Sequence, residues 1–408
     1  MAVPKLRFKA DDGSDYPNLE ETKLDTLMAF KNGINASGDK FWRGTKCISV
    51  MDILNNSCIT YDIIKGEVDV DEKTLQNFTV EYGDAVFQRS SENVQDAGRA
   101  NVYMDKDRPA TFSGFVIRGK RIANYEPMFM NGLLNTFSVR KQIMSKAQGA
   151  QHINIGQEIL SSVRVNMPSL PEQQKIAEFL STIDTVIEKQ KETVSAWEER
   201  KKGVMQKLFS QEVRFKADDG SNFPEWEEKK LGEVGDIVTG NTPSTKQNDY
   251  YGECYLWVTP TDITDSREVT STAKMLTELG YTVARHIPAN SILVTCIASI
   301  GKNAILRENG SCNQQINSIT PYDEYSVEFV YYLICQNEKL LHANAGTGGM
   351  EILNKENFSK IKMYFPCFAE QQKIADCLSS LDEVIEKQKA TLAAWEELKK
   401  GLLQQMFV

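Results

Sequence analysis

The sequence predicts a mixed α/β protein with two globular domains separated by two long antiparallel helices, which form a coiled-coil spacer. A stretch of 38 residues at Glu172–Phe209 returns 198 residues later at Glu370–Phe407, and 25 of the 38 positions are identical. Both copies carry apolar residues at alternating spacings of four and three, the pattern of a coiled coil. A shorter repeat occurs at Arg7–Pro17 and Arg214–Pro224. The chain is therefore predicted to be a tandem repeat with pseudo-two-fold symmetry.

The two predicted helices are expected to pair along their apolar seams. The seam positions with large apolar side chains are Ile176, Leu180, Ile183, Ile187, Val194 and Trp197 in the first copy and Ile374, Leu378, Leu381, Ile385, Leu392 and Trp395 in the second. Each seam also contains one Gln and one Lys, which are Gln190 and Lys201 in the first copy. Polar seam residues of this kind can set the register of the pairing. Because each helix follows a globular part, we expect them to run antiparallel.

The repeats divide the sequence into four segments. These are a first domain at 1–169, a central helix at 170–210, a second domain at 211–367 and a C-terminal helix at 368–408. Ser169 and Glu172 fit a capping box, which predicts where the central helix begins. The residues that follow the central helix recur at the N-terminus of the chain. We therefore expect the two ends of the chain to lie close together.

Composition limits the class of protein. The chain has 408 residues, of which 41% are hydrophobic and 25% charged, as in an ordinary globular protein. No apolar run approaches the length of a membrane span and no signal peptide is apparent, so a cytoplasmic protein without membrane contact is expected. The eight cysteines are scattered and there are only three histidines. This pattern disfavours a disulfide scaffold and a metal site.

The sequence contains no recognisable catalytic constellation. A P-loop ending at Lys302 would need glycine where Cys296 stands, and no dinucleotide, zinc-protease or nucleophile-elbow motif occurs. The run Asp71, Glu72 and Lys73 fits a charged turn better than a nuclease site, since no other metal ligand accompanies it. We therefore predict no catalytic residue.

Polar and basic segments remain as candidate contacts for DNA. Arg and Lys neutralise phosphates, Asn and Gln can read base edges, and Ser and Thr suit phosphate oxygens. The basic candidates of the first domain are Arg89, Arg99, Arg118, Lys120 and Arg121. The loop candidates of the second domain are Thr242, Ser244, Thr245, Lys246, Ser299, Lys302, Asn303, Gln314, Gln315 and Thr347. Each loop taken alone also fits an ordinary surface turn. The net charge of −9 means that any DNA surface must be a local patch.

These features together resemble the specificity subunits of type I restriction–modification systems. The resemblance lies in the two helices that begin at Glu172 and Glu370, in the junction at 208–233, and in the second-domain loops at 240–245, 299–302 and 313–315. The first domain has no counterpart of those loops, so its basic candidates depend on composition alone.

The resemblance implies two target-recognition domains, each of which binds one half of a split double-stranded DNA target. It implies a non-catalytic chain with no cofactor of its own. S-adenosylmethionine would bind to partner methyltransferase subunits, and ATP and Mg would be used by partner subunits that include a restriction and translocase subunit. A competing hypothesis is a coiled-coil scaffold that joins two protein-binding domains without sequence-specific DNA binding. The identity of the target bases depends on loop geometry that a sequence does not give.

Overall fold

The computed structural model describes residues 4–35, 41–149, 152–346 and 351–407, and for 41–43 it describes the backbone only. The chain forms two compact units. The first contains Met1–Lys191 together with Ala390–Val408, and the second contains Glu192–Lys389. Thr347, a candidate DNA contact, lies outside the described residues.

The secondary structure of the first unit is a set of short strands and helices. Its strands are β1 (Glu20–Lys23), β2 (Met28–Asn32), β3 (Phe41–Ile48), β4 (Glu67–Val68), β5 (Ala85–Gln88), β6 (Ser90–Ser91), β7 (Ala100–Val102), β8 (Thr111–Phe112), β9 (Val116–Arg121), β10 (Ile153–Asn154) and β11 (Arg164–Met167). Its short helices are α1 (Leu24–Leu27), α2 (Val50–Asn55), α3 (Glu72–Asn77), α4 (Pro127–Leu134), α5 (Phe137–Met144) and α6 (Gln157–Ser161). The long helix α7 (Leu170–Phe209) begins in this unit and ends in the second.

The second unit repeats this pattern of elements with different loops. Its strands are β12 (Glu227–Lys230), β13 (Gly235–Thr239), β14 (Tyr251–Gly252), β15 (Tyr255–Val258), β16 (Glu268–Val269), β17 (Met275–Leu276), β18 (Ser291–Thr295), β19 (Asn303–Leu306), β20 (Gly310–Cys312), β21 (Ile316–Pro321) and β22 (Lys362–Phe365). Its helices are α8 (Leu231–Val234), α9 (Glu278–Val283), α10 (Val327–Gln336), α11 (Glu338–Ala343) and α12 (Lys355–Lys360), followed by the long α13 (Phe368–Met406).

The central sheet has the same strand order in both units. It is β2-β9-β5-β7 in the first unit and β13-β21-β18-β19 in the second, where β16 adds a parallel strand at the edge. In each unit a two-stranded antiparallel ladder, β1 with β11 or β12 with β22, connects the start of the domain to the strand just before its long helix. The two units therefore share one framework of strands, although outside the helices and the short repeat their sequences differ.

The long helices form because their apolar residues fall on one buried face. The two helices have 40 and 39 residues, which corresponds to about 60 Å each. Among the seam residues, the buried ones are Ile176, Leu180, Ile183, Ile187, Val194, Ile374, Leu378 and Ile385, and the half-buried ones are Trp197, Leu381, Leu392 and Trp395. The capping box predicted at Ser169 is absent: its Oγ has no hydrogen-bond partner among the described residues, and Glu172 binds Arg7 instead.

Ion pairs within each unit show that the helices run antiparallel. In the first unit Asp184 pairs with Lys399, and Lys191, further along α7, pairs with Glu396, earlier in α13, at 4.0 Å. In the second unit Lys201 pairs with Asp382 at 2.5 Å, and Glu198, earlier in α7, pairs with Lys389, further along α13, at 2.9 Å. The Lys399–Asp184 and Lys201–Asp382 pairs are equivalent in the repeat, because Asp184 and Asp382 are 198 positions apart, as are Lys201 and Lys399. The lysines are the predicted polar seam residues, and the Lys201–Asp382 pair is largely shielded, with side chains 21% and 18% exposed. A shielded pair at a fixed seam position favours one register over its neighbours.

The short repeat binds the beginning of each long helix. The Arg7 guanidinium donates to the Glu172 carboxylate at 2.9 and 2.6 Å, and Arg214 donates to Glu370 at 3.1 and 2.8 Å. The aspartate four residues after each arginine receives a second ion pair from a helix lysine, Lys175 to Asp11 being one example at 2.5 Å. The short repeat therefore occurs twice because the helix start that it clamps occurs twice.

The chain ends meet within the first unit, as the sequence predicted. The Leu6 amide donates to the Gln405 carbonyl at 3.1 Å, and the equivalent amide of Val213 donates to Lys207 in the continuous junction at 3.2 Å. The end of the C-terminal helix also completes the first core. Phe407 packs on Phe129 with ring centroids 5.2 Å apart.

Candidate DNA interface

In the second unit, three candidate loops leave the same edge of the central sheet. The strand register places the end of β13, the end of β18 and the starts of β19 and β21 side by side. The loops that follow or precede these ends are 240–246, 296–302 and 313–315. We call this surface the second loop edge. The sequence identified these loops separately, and the antiparallel register is what brings them together.

Hydrogen bonds link the loops of the second loop edge to one another. The Thr242 hydroxyl donates to the Gln314 side chain at 2.6 Å, which leaves the amide nitrogen of Gln314 available as a donor. The Asn241 amide donates to the Cys312 carbonyl at 2.9 Å, and the Cys296 amide donates to the Gln315 carbonyl at 2.8 Å. The loops are thus held in one arrangement by contacts that do not use up their outer polar atoms.

The exposed groups of the second loop edge carry a local positive charge. Ser244, Thr245, Lys246 and Lys302 are exposed, and neither lysine forms an ion pair with a residue that the structure describes. Lys302 follows Gly301, whose φ of +94° favours glycine and gives the loop its sharp turn. Two free ammonium groups beside hydroxyl donors are the chemistry that phosphates bind.

Some predicted residues of this edge have internal roles. The Asn303 side chain donates to the Gly301 carbonyl at 3.0 Å and lies 3.4 Å from the Cys335 thiol, so it shapes the loop from inside. The Gln315 side chain accepts from Asn313 at 3.0 Å. Ser299 is half-buried, and its carbonyl accepts from the Thr295 hydroxyl. The side-chain amides of Asn303 and Gln315 are therefore engaged within the loops.

The structure adds Arg285, which the sequence reasoning missed, and gives a role to Asn241 of the loop at 240–246. Asn241 accepts from the Arg285 amide at 2.7 Å and donates to the Val283 carbonyl at 3.1 Å, which attaches the segment after α9 to the second loop edge. Arg285 is exposed there, and its guanidinium donates to the Thr239 carbonyl at 2.7 Å. The local sequence around Arg285 does not predict this position, because it depends on a hydrogen bond to the side chain of Asn241, which is 44 residues away.

In the first unit, only part of the basic set lies at the equivalent edge. Arg89 follows β5 and donates to the Gly114 carbonyl at 3.2 Å, and Arg99 precedes β7 with its side chain half exposed and paired with Asp96. Phe115 lies at the tip of the neighbouring turn, and it is 65% exposed. We call this surface the first loop edge.

The other three basic candidates of the first unit lie elsewhere. Arg118 is 7% exposed, donates to the Thr79 carbonyl inside the domain, and has its pKa lowered chiefly by burial. Lys120 and Arg121 lie at the opposite end of β9, where Lys120 faces Glu81 and Arg121 donates to the Tyr125 carbonyl at 2.6 Å. Basic composition pointed to these residues, but the strand direction places them away from the first loop edge, and we remove them from the candidate interface.

Within the described ranges, no group of three or more His, Cys, Asp or Glu side chains is arranged to hold a metal ion. None of the helices in those ranges is long and apolar enough to cross a membrane.

The architecture defines a tandem-domain protein that presents two different loop edges on one duplicated framework. Its sequence matches the family model of the type I restriction modification DNA specificity domain twice, at residues 43–195 and 224–394. The chain therefore belongs to this family.

Individual relatives share moderate identity with the chain. The MjaIX specificity subunit of Methanocaldococcus jannaschii is 32% identical over 211 residues, which are 49% of this chain and 48% of that protein. The HindI specificity subunit of Haemophilus influenzae is 34% identical over 41% of this chain and 38% of that protein. These alignments therefore span less than half of each relative. A putative MjaX specificity subunit aligns over 97% of this chain and 94% of its own length at 23% identity.

Solved structures share the fold over nearly the whole chain. The type I restriction–modification S subunit from M. genitalium has a TM-score of 0.57 at 15% identity and covers 100% of this chain and 99% of its own. A chain from a type I R-M system studied for complex assembly and conformational transition has a TM-score of 0.60 at 15% identity, with 96% and 97% covered. At this level of identity the likeness concerns the fold.

Proposed function

We propose that this chain is the DNA sequence-specificity subunit of a type I restriction–modification complex. In this role it binds a bipartite double-stranded DNA target through its two domains and docks methyltransferase and restriction subunits. The observation that carries the proposal is one framework, built twice, that presents two dissimilar loop edges. A duplicated framework with different loops suits a protein that reads two different half-sites.

The second loop edge supplies contacts of two kinds. Lys246, Lys302 and the hydroxyls of Ser244 and Thr245 are suited to backbone phosphates, which give affinity and position. The Gln314 amide, held by Thr242, is suited to a base edge, where Gln and Asn make bidentate contacts with adenine. A side chain with one end already fixed loses less conformational freedom on binding.

The first loop edge has a different chemistry. Arg89 and Arg99 provide guanidinium groups, which can bind phosphate or guanine, and Phe115 provides an exposed apolar ring beside them. The difference between the two edges predicts that the two half-sites of the target differ in sequence.

In the proposed role the chain performs no catalysis and holds no cofactor. S-adenosylmethionine, ATP and Mg would be bound by the partner methyltransferase and restriction subunits. Most exposed positions of the long helices carry Glu, Lys or Gln, and this face is the proposed dock for those partners. Because the chain has a net charge of −9, we expect strong DNA binding only in the assembled complex.

The proposal is tested by replacing one lysine on the second loop edge. Lys302→Ala should weaken DNA binding by the assembled complex and reduce the slope of log affinity against log salt by about one, as expected for one lost phosphate contact. Lys120→Ala is the matched control, because this exposed lysine lies at the end of β9 opposite the first loop edge and is not part of the second loop edge. Unchanged binding by Lys302→Ala at every salt concentration would contradict the assignment.

A second test concerns the helices as a spacer. Removing one heptad from α7 shortens it by about 10 Å and breaks the register of the Lys–Asp pairs. The preferred gap between half-sites should change, or binding should be lost. Recognition with an unchanged gap would exclude a spacer role. A complex that assembles but shows no sequence-selective binding in either test would favour the scaffold hypothesis.

A further inference from the structure

The first unit contains a large cavity that reaches the first loop edge at Arg99. Its volume is about 1020 Å³, and it lies between α4, α5 and the parts of the long helices that belong to this unit. Leu180, Met128 and Phe407 contribute apolar walls. Ligand pockets in proteins are typically about 300–1,000 Å³ and mostly apolar with a few polar groups, so the cavity has the size of a small-molecule site.

A glycine keeps this cavity open. Helices α4 and α10 are equivalent, because the amides of Glu126 and Ser326 bond in the same way to Gln173 and Gln371 of the long helices. Six residues further on stand Gly132 in the first unit and Tyr332 in the second. Tyr332 is fully buried, and its hydroxyl donates to Asp382 at 2.5 Å.

Asp184, the repeat counterpart of Asp382, lines the cavity of the first unit. The second unit therefore has a tyrosine side chain where the first unit has none, and a Cβ at Gly132 would lie 3.3 Å from the Phe407 ring. The two units share one framework but differ at this position. The cavity therefore belongs to the first unit and is not a general feature of the repeated framework.

The charge of the cavity is opposite in sign to that of the chain. Its charged lining residues are Arg99, Arg140, Lys399 and Lys400 on the positive side and Asp184 and Glu396 on the negative side. This gives a formal charge of +2 from four cations and two anions, in a chain of net −9. Arg99 pairs with Asp96, Lys399 with Asp184 and Lys400 with Glu397. Arg140 is therefore the lining cation without a carboxylate partner among the described residues, and it is the group that favours an anionic ligand.

A helix terminus and a buried arginine meet at this cavity. Thr136, Phe137 and Ser138, which all line it, form the start of α5, and no side chain caps this terminus. The first amides of a helix have no partner within the helix and attract anions. Arg140 lies one turn along and also lines the cavity.

Arg140 is incompletely satisfied where it stands. It is only 7% exposed, its Nη2 donates to the Gln95 carbonyl at 2.7 Å, and its Nη1 has no hydrogen-bond partner among the described residues. Burial, and then the neighbouring Arg99, lower the pKa of Arg140 to about 10. The Nη1 atom is itself buried, so Arg140 brings an uncompensated charge to the cavity and not a free donor that faces it. A buried guanidinium without a carboxylate partner is costly unless an anion lies near it.

We propose that this cavity binds a phosphate-bearing ligand of about nucleotide size, with the phosphate at the start of α5 beside Arg140. The remainder of the ligand lies against the apolar wall that Gly132 leaves open. Because the second unit fills the equivalent space with Tyr332, one ligand binds per chain. The cavity shares Arg99 with the first loop edge, but the proposal is tested on the isolated chain, so its failure is distinguishable from a failure of DNA reading by the assembled complex.

The test is calorimetric titration of the full chain with AMP and, separately, with inorganic phosphate. AMP should bind with a stoichiometry of one, about tenfold or more tighter than inorganic phosphate, because only AMP has a body to place against the apolar wall. Gly132→Tyr, which copies the second unit, should abolish AMP binding. Ser138→Asp should also abolish it by repulsion, although a carboxylate at a helix start stabilises the helix.

Two further variants complete the test. Arg140→Met should weaken AMP binding by at least about tenfold, and Lys141→Met, an exposed neighbour that does not line the cavity, should leave it unchanged. Displacement of AMP by a short single-stranded oligonucleotide would identify a DNA strand as the source of the phosphate. Failure to displace it would identify a free nucleotide, and both results support the site.

Two outcomes would overturn the proposal. The first is no AMP binding to the wild-type chain at millimolar concentration. If Gly132→Tyr then also fails to assemble with the partner subunits, the cavity is assigned to a protein segment. The second is equal AMP binding by the wild-type chain and Gly132→Tyr.

Discussion

Replacement of Arg214 by methionine should destabilise the second unit strongly. Glu370 has a side chain with no exposed surface, and it accepts from Arg214 at 3.1 and 2.8 Å and from the Trp226 indole at 3.3 Å. The variant leaves this carboxylate buried with the indole as its remaining hydrogen-bond donor. Loss of one partner from a buried ion pair costs about 3–5 kcal/mol, and the surviving indole contact favours the lower end of that range.

The loss can be measured by thermal and urea unfolding followed by tryptophan fluorescence. For a unit of this size each kcal/mol shifts the Tm by about 2–4 °C, so a loss of about 3 kcal/mol corresponds to about 6–12 °C. Because the chain has two units, unfolding should also be followed by circular dichroism. A two-state free energy applies only if the circular dichroism and fluorescence transitions coincide. The midpoint shift of the transition that includes Trp226 is the relevant observable.

Two comparisons make this prediction specific. Lys362→Met removes an exposed partner of Glu228 in the same unit and should cost at most about 1 kcal/mol. The double variant Arg214→Met/Glu370→Met should recover much of the loss, since an apolar pair needs no compensating charge. A loss below about 1 kcal/mol for Arg214→Met, or a double variant no more stable than the single one, would refute the reasoning.

Three other predictions follow from the same structure. Lys201→Asp should lower the free energy of unfolding by placing two carboxylates together, and the added Asp382→Lys change should restore part of it in a double-mutant cycle, because the Tyr332 hydroxyl still loses its acceptor; no restoration would mean that the pair does not interact. Arg118→Met should reduce stability while leaving the DNA preference of the complex unchanged, and a changed preference in a selection experiment would return Arg118 to the interface. Asn241→Ala should weaken DNA binding by releasing the Arg285 segment, without the change of salt slope expected for a phosphate contact; an unchanged affinity would remove that segment from the interface.

The helices and their pairing were predictable from sequence because their signals are periodic and duplicated. The seam residues occur at coiled-coil spacing, and the polar seam positions Lys201 and Lys399 are the residues that form the duplicated ion pairs. The proximity of the chain ends also followed from the repeat, and the Leu6–Gln405 hydrogen bond confirms it. Repetition supplies the long-range information that a single sequence usually lacks.

The remaining features depend on contacts that no local pattern encodes. The sequence around Glu172 fitted a capping box. In the structure its carboxylate instead accepts two charge-assisted hydrogen bonds from Arg7, which is 165 residues away and invisible to a local pattern. The basic residues of the first domain were chosen by composition, whereas strand direction and burial decide which of them reach a loop edge. The cavity beside Gly132 is visible only when the two units are compared position by position.

The central claim is that each loop edge reads its own half of a bipartite DNA target. It is tested most directly by selecting bound sequences from random duplexes with the assembled complex that carries Thr242→Ala and Gln314→Ala. Preference should change in one half-site only, while the other half-site and the gap between them stay as in the wild type. Equal loss of preference in both half-sites, or no change in either, would contradict the claim.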